Sequence, residues 1–130
     1  MTRRQPAGRK RDASEPLVDL ALEAADDLKA RDMVALDLRG LNDATDWFVI
    51  GSGTSDAHVR GIAQSVLDRM TAAGFKAHHV EGLAQGRWVL LDFVDIVVHL
   101  FHPEARAFYQ LERLWNDAPR REPAAERKSP

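Results

Sequence analysis

Three groups of residues in this chain of 130 residues could do chemistry. The first is Gly51-Ser52-Gly53-Thr54-Ser55. Glycines and hydroxyls between a strand and a helix can gather free N–H groups around a phosphate. No lysine follows the second glycine, so this is no P-loop, and a dinucleotide fingerprint would need a third glycine. The second group is Asp92 with Asp95. Two carboxylates beside an apolar strand pair can hold a divalent cation. Together with the glycine-serine turn they would make a magnesium-dependent nucleotidyl-transfer site. The third group is the histidines: His58, His78, His79, His99 and His102. A zinc site wants three or four ligands within reach, and His99 and His102 fall on opposite faces of one strand.

Each group also has a plainer reading. Thr54 or Ser55 can N-cap the helix that follows, and the glycines can serve a tight turn. Asp92 and Asp95 suit a hairpin tip near water, where two opposed carboxylates would welcome a basic partner. His99 alternates onto an apolar face with Trp88 and reads as a core or interface histidine. The serines all have cap or surface explanations, so no serine–histidine–acid arrangement can be argued.

The elements that must position these groups follow from periodicity. Leu17, Leu20, Ala21, Ala24 and Leu28 mark an amphipathic helix over 16–30, with Ser14 as N-cap and Pro16 in its first turn. Met33–Leu38 and Asp46–Ile50 read as strands. Val59, Ile62, Ala63, Val66, Leu67 and Met70 stripe a second helix that Gly74 closes. Phe75–Val80 reads as a strand and Gly82–Gly86 as a loop. Arg87–Asp92 and Asp95–Phe101 then flank Phe93-Val94, which predicts a hairpin with Asp92 opposite Asp95 and Trp88 opposite His99. Trp88, Leu90, Val97, His99 and Phe101 share one face. Val89, Leu91, Ile96, Val98 and Leu100 share the other. Apolar residues on both faces require cover on both sides, by helices, a subunit or a partner. Pro103 and Glu104 open a last helix with Phe108, Leu111 and Trp115 on one stripe. The order is α-β-β-α-β-β-β-α, a single layered α/β domain.

Composition narrows the class. Hydrophobic residues make up 45% of the chain and there is no cysteine, so a packed core is expected and disulfides and thiolate chemistry are excluded. Lack of cysteine suits a reducing cytoplasm. No apolar run long enough for a secretory signal or a spanning helix is present. The net charge of −2 conceals a division. Arg3, Arg4, Arg9, Lys10 and Arg11 against Asp12 leave the first twelve residues at +4. Arg120, Arg121, Arg127 and Lys128 against Glu122 and Glu126 leave 118–130 at +2, so the body carries −8. Residues 1–13 and 118–130 read as disordered tails around a domain over 14–117. The tails could touch RNA phosphates or only aid solubility; an acidic body is not itself a nucleic-acid binder.

The motifs together are more specific than any one group. Ala35-Leu36-Asp37, Thr45-Asp46-Trp47-Phe48-Val49-Ile50 and Gly53-Thr54-Ser55 with His58-Val59 are followed by Glu81-Gly82 and Trp88-Val89-Leu90-Leu91-Asp92. Asp95-Ile96-Val97-Val98-His99-Leu100-Phe101 and the run from Arg106 to Trp115 complete the set. In this order they resemble the ribosomal silencing factor family, also called Iojap-related or RsfS, over about residues 16–117. Two positions depart from the family pattern: Val94 stands where glycine is usual, and Ser52 where threonine is common. The resemblance implies a mixed sheet of about five strands with helices on its faces and a topology like that of nucleotidyltransferases, without catalysis and without a cofactor. It implies a cytoplasmic translational repressor of stationary phase or starvation. Such a protein binds the large ribosomal subunit through ribosomal protein L-fourteen and sterically blocks joining of the small subunit. It also implies that a homodimer can form when the protein is free. Trp88, Phe93 and Tyr109 stand at motif positions of the family's ribosome-binding face. Phe93 at a hairpin tip would then be an exposed anchor, with Asp92, Asp95 and His99 beside it. The rival reading of the same residues remains a magnesium-dependent nucleotidyltransferase built from Gly51–Ser55 and Asp92/Asp95.

Overall fold

The computed structural model describes residues 14–41, 43–109 and 118–121, without the side chains of 107–109. The N-terminal tail, most of the C-terminal tail, Leu111 and Trp115 lie outside the described residues. Helix α1 spans Ser14–Asp27 and buries Leu17, Val18, Ala21, Leu22, Ala24 and Ala25. It stops three residues before the periodicity predicts. Lys29 takes φ 61°, and Ala30 N–H reaches back to the Ala25 carbonyl at 3.1 Å, a turn that satisfies the last carbonyls of the helix. Strand β1 (Arg31–Asp37) and strand β2 (Trp47–Ser52) follow, then helix α2 (Asp56–Ala72). Gly74, at φ 98°, closes α2 with bonds from its own N–H and from Phe75 N–H to carbonyls of the last turn. That turn is why the strand predicted over Phe75–Val80 shrinks to β3 (His79–Glu81), leaving Phe75 43% exposed.

Strands β4 (Trp88–Asp92) and β5 (Ile96–Phe101) form the hairpin, and α3 begins at Pro103 and runs to Tyr109. Arg120–Arg121 then pairs with β1 as a short strand β6. These two residues were predicted to lie in the tail over 118–130. Instead Asp37 N–H donates to the Pro119 carbonyl at 2.8 Å, Arg121 pairs with Asp19, and its guanidinium sits 5.6 Å over the Trp47 ring. The sheet is therefore six-stranded, in the order β3-β4-β5-β2-β1-β6. Among the described strands only β2 and β5 run parallel; the other neighbours are antiparallel.

The hairpin register differs from the prediction by two residues. Trp88 faces Phe101, Leu90 faces His99 and Asp92 faces Val97. Phe93 N–H donates to the Ile96 carbonyl at 2.9 Å, so the connection is Val94-Asp95. A two-residue slip keeps every side chain on its predicted face. It separates the two aspartates, which are not opposed after all, and it carries Phe93 into the core at 7% exposure. Burying a phenyl ring is worth about 2–3 kcal/mol, and no glycine or asparagine pins the turn elsewhere.

Helices α1 and α2 cover one face of the sheet. Val89, Leu91, Phe93, Ile96, Val98 and Leu100 join their buried stripes in the larger core. The second face is covered unequally. Val34, Leu36, Leu38, Ile50 and Phe101 pack with Ala105 of α3 and with Ala118, while Phe48 and Trp88 are only partly buried at the border. Along β4 burial alternates, and Trp88, Leu90 and Asp92 all keep some exposure on this side. No described helix is long and apolar enough to cross a membrane.

Candidate functional site

The Gly51–Ser55 segment is explained by local geometry. Gly51 and Ser52 lie inside β2, and a Cβ on Gly51 would fall 1.8 Å from Met33 Sδ. A Cβ on Gly53 would stand 2.9 Å from both Val59 N and Val59 Cγ2. Ser55 is the N-cap of α2, its hydroxyl accepting from His58 N–H at 3.1 Å. Thr54 N–H is taken by His58 Nδ1 at 2.8 Å, and His58 Nε2 meets the Leu28 carbonyl at 2.6 Å. Gly53 N–H goes to the Phe101 carbonyl at 3.0 Å, so both it and Thr54 N–H are taken within the protein.

The turn and the aspartate pair are also far apart. Ser52 lies beside Phe101 and Trp47 beside Ile96 in the parallel β2–β5 ladder. The turn thus leaves beside one end of β5 and Asp95 precedes the other, six residues or about 20 Å away at roughly 3.3 Å per residue. The magnesium site that would join them is not assembled. Among the described residues no cluster of three or more His, Asp or Glu side chains could hold a metal ion. His102 Nδ1 accepts from Glu104 N–H at 3.2 Å, and His79 Nε2 pairs with Glu81 Oε2 at 2.6 Å, so both have local partners.

The open part of the sheet is different. Phe48, Leu90, Val97 and His99 line a cavity of about 410 Å³, with Asp92, Val94 and His78 among the residues around them. The strand ladders set this arrangement: Phe48 lies beside Val97, and Leu90 beside His99. Leu90 and Val97 were placed on the Trp88 face by alternation. Phe48 was missed as a site residue, because its position depends on β2 lying parallel to β5, a pairing between distant segments.

Of the predicted site residues, Trp88, Asp92 and His99 come together on this face. Trp88 Nε1 donates to His99 Nδ1 at 3.1 Å, and its ring stacks on Phe101 at 5.2 Å. Asp92 Oδ1 accepts from Val94 N–H at 2.8 Å at the tip. Asp95 is exposed beside it, its carbonyl accepting from Asp46 and Trp47 N–H. Phe93 does not join them. It points to the helix-covered face, and Val94 at 53% exposure occupies the tip. Tyr109 is placed on α3, at the helix end.

His99 is 4% exposed, and burial pushes its imidazole from 6.5 down to about 4. The folded protein therefore holds this ring neutral where an unfolded chain begins to protonate it. Stability from this group is complete above about pH 6.5 and is lost as pH falls toward 4. Between pH 7 and pH 5, before carboxylates titrate much, the loss amounts to about 2 kcal/mol. Urea unfolding of wild type and His99→Asn at the two pH values measures it. Wild type should lose more stability than the variant; equal losses would contradict the assignment.

Comparison with known proteins places this geometry in context. Residues 11–130 match the model of a family described as ribosomal silencing factor during starvation. The chain is 42% identical over 103 residues to the ribosomal silencing factor RsfS of Bacillus subtilis, covering 79% of this chain and 87% of that one. A solved structure from Bacillus halodurans superposes with a TM-score of 0.74 at 41% identity, covering 83% of this chain and 98% of the other. A mouse protein named mitochondrial assembly of ribosomal large subunit protein 1 is 31% identical over 101 residues, 75% of this chain and 44% of its own length.

Proposed function

The chain belongs to the ribosomal silencing factor family, and from that membership we propose that it represses translation by occupying the large ribosomal subunit and blocking its joining to the small one. The family carries the silencing role. The mouse relative's name supports the large subunit as the platform. The finer reading is that ribosomal protein L-fourteen is the direct partner and that occlusion is steric. No bond is made or broken; the work is binding geometry.

The observation that carries this reading is the half-covered second face of the sheet. One face is closed by α1 and α2, whereas Phe48, Trp88, Leu90 and Val97 stay partly exposed on the other. A partly exposed apolar face with an indole at its border is the composition of an interface centre. Asp92 stands at its rim with Asp95 exposed in the turn beside it, and residues 13–121, which include strand β6, carry −6, which favours a basic protein surface and disfavours rRNA phosphates. Trp88, Asp92, Asp95 and His99 are thus the proposed contact residues, with Tyr109 added from its motif position on α3. Phe93 keeps a place in the proposal as the support beneath the tip. A homodimer of the free protein would cover the same kind of surface, and the basic tails could reach nearby rRNA.

Sedimentation with purified large subunits tests the reading. The protein should travel with the large subunit and not with the small one. Failure to co-sediment with the large subunit would remove the proposal.

A further inference from the structure

His99 has a feature that packing does not explain. Indole N–H is only a donor, so the bond from Trp88 Nε1 makes His99 Nδ1 an acceptor. A neutral ring must then carry its proton on Nε2. That atom is buried and meets no acceptor. A buried donor without a partner costs free energy comparable to a lost hydrogen bond, and such groups are rare enough in folded proteins to need a reason. An apolar side chain of similar shape would fill this place at no such cost. The same ring lines the open groove between Phe48, Leu90 and Val97.

We propose that His99 is the specificity-determining donor of this groove: its Nε2–H receives a peptide carbonyl oxygen of a basic protein segment that seats an apolar side chain against Phe48, Leu90 and Val97. The inference rests on the ribosome-binding reading and deepens it by naming what the groove recognises. The occupant's chemistry follows from the lining. The floor is apolar, the orphan group is a donor and so asks for an acceptor, and Asp92 in the lining, with Asp95 exposed in the adjoining turn, asks for positive charge. Nε2 has no exposed surface in the free protein, so the occupant must move a lining side chain. Phe48 is half-buried and its ring meets the His99 ring edge-on at 4.6 Å, so turning that ring aside would uncover the donor. A site built to satisfy a buried donor rejects a segment that lacks the acceptor far more strongly than apolar contact alone can. Burial holds His99 neutral across the physiological range, which keeps one nitrogen as acceptor for Trp88 and the other as donor.

Two variants separate the two ring nitrogens. His99→Asn places an amide near Nδ1, keeping a partner for the Trp88 indole while deleting the distal donor. His99→Gln reaches the Nε2 position with its amide N–H. Each is titrated against purified large subunits beside wild type, with urea midpoints confirming that it folds. The expected result is about tenfold weaker binding for His99→Asn and binding within about threefold of wild type for His99→Gln. Wild-type affinity in His99→Asn would overturn the inference while leaving the ribosomal reading intact. Equal losses in both variants would also overturn it, since ring packing would then be the cause. Absence of binding by wild type would remove the ribosomal reading and this inference with it. Nitrogen NMR of the free protein adds a test that needs no partner: Nε2 should be the protonated nitrogen, and a proton on Nδ1 would end the proposal.

Discussion

Val97→Lys should fold normally and bind large subunits about 30-fold more weakly, or worse. Val97 lies in the floor of the open groove, beside Phe48 on β2 and opposite Asp92 on β4. A lysine there can run its stem along the groove and reach the Asp92 carboxylate across the strand pair, a favourable cross-strand combination. The fold should therefore lose no more than about 1–2 kcal/mol. Binding loses more. The floor gains a charge, Asp92 is neutralised, and a basic partner meets a like charge in the middle of its contact. Central interface residues of this kind are worth about 2 kcal/mol or more, which is about 30-fold. Gln64→Lys on the exposed side of α2 makes the same change in net charge over the opposite face of the sheet. It should bind as wild type does. Equal weakening by both variants would mean that long-range charge, not this face, governs association.

Phe93→Ala should destabilise the protein by about 3–5 kcal/mol, the cost of emptying a buried phenyl site. At a solvent-facing tip the same change would cost under about 0.5 kcal/mol. The difference is large enough for a single urea titration to decide. Phe93 belongs to the core under α1 and α2 and is 7% exposed. A midpoint near that of wild type would contradict the observed register. The substitution also warns against a simple reading of binding data. A loss of ribosome binding in Phe93→Ala is expected to follow from the weakened hairpin, which carries Asp92 and Asp95, and would not identify Phe93 as a contact.

The hairpin shows where sequence reading succeeds and where it stops. Which residues share a face was legible, because alternation has period two and survives a slip of two. The turn position was not legible. Phe93-Val94 and Val94-Asp95 are equally poor in the glycine and asparagine that fix two-residue turns. The choice is made by tertiary packing, as Phe93 gains a place in the core and Val94 accepts φ 75° in exchange. The end of the Gly51–Ser55 segment was legible for the opposite reason: cap chemistry is local, and Ser55 caps α2 as predicted, whereas Gly51 and Ser52, read as turn, continue β2 through its pairing with β5. Strand β6 was hidden because Arg120-Arg121 has the composition of a tail. It is held by backbone pairing to β1 and by contacts of Arg121 with Asp19 and Trp47, residues far away in the chain. Phe48 was hidden likewise, since only the β2–β5 pairing brings it over His99. The aspartate pair was found by type and misplaced by register. Asp92 lies opposite Val97 at the end of β4, and Asp95 lies in the turn itself.

The net charge of −2 also gains meaning from the fold. The acidic excess belongs to the body, and one of its carboxylates, Asp92, lines the open face while Asp95 is exposed in the turn beside it. Long-range attraction toward a basic protein would speed encounter, while the apolar floor would supply most of the affinity.

Subunit joining is the most direct measurement of the central claim. Purified large subunits are incubated with the protein, small subunits are added, and the fraction of joined ribosomes is read by light scattering or sucrose gradient. The protein should lower that fraction in proportion to its occupancy of the large subunit, and Val97→Lys should restore joining at the same concentration. Full joining with the large subunit saturated by wild-type protein would contradict the account.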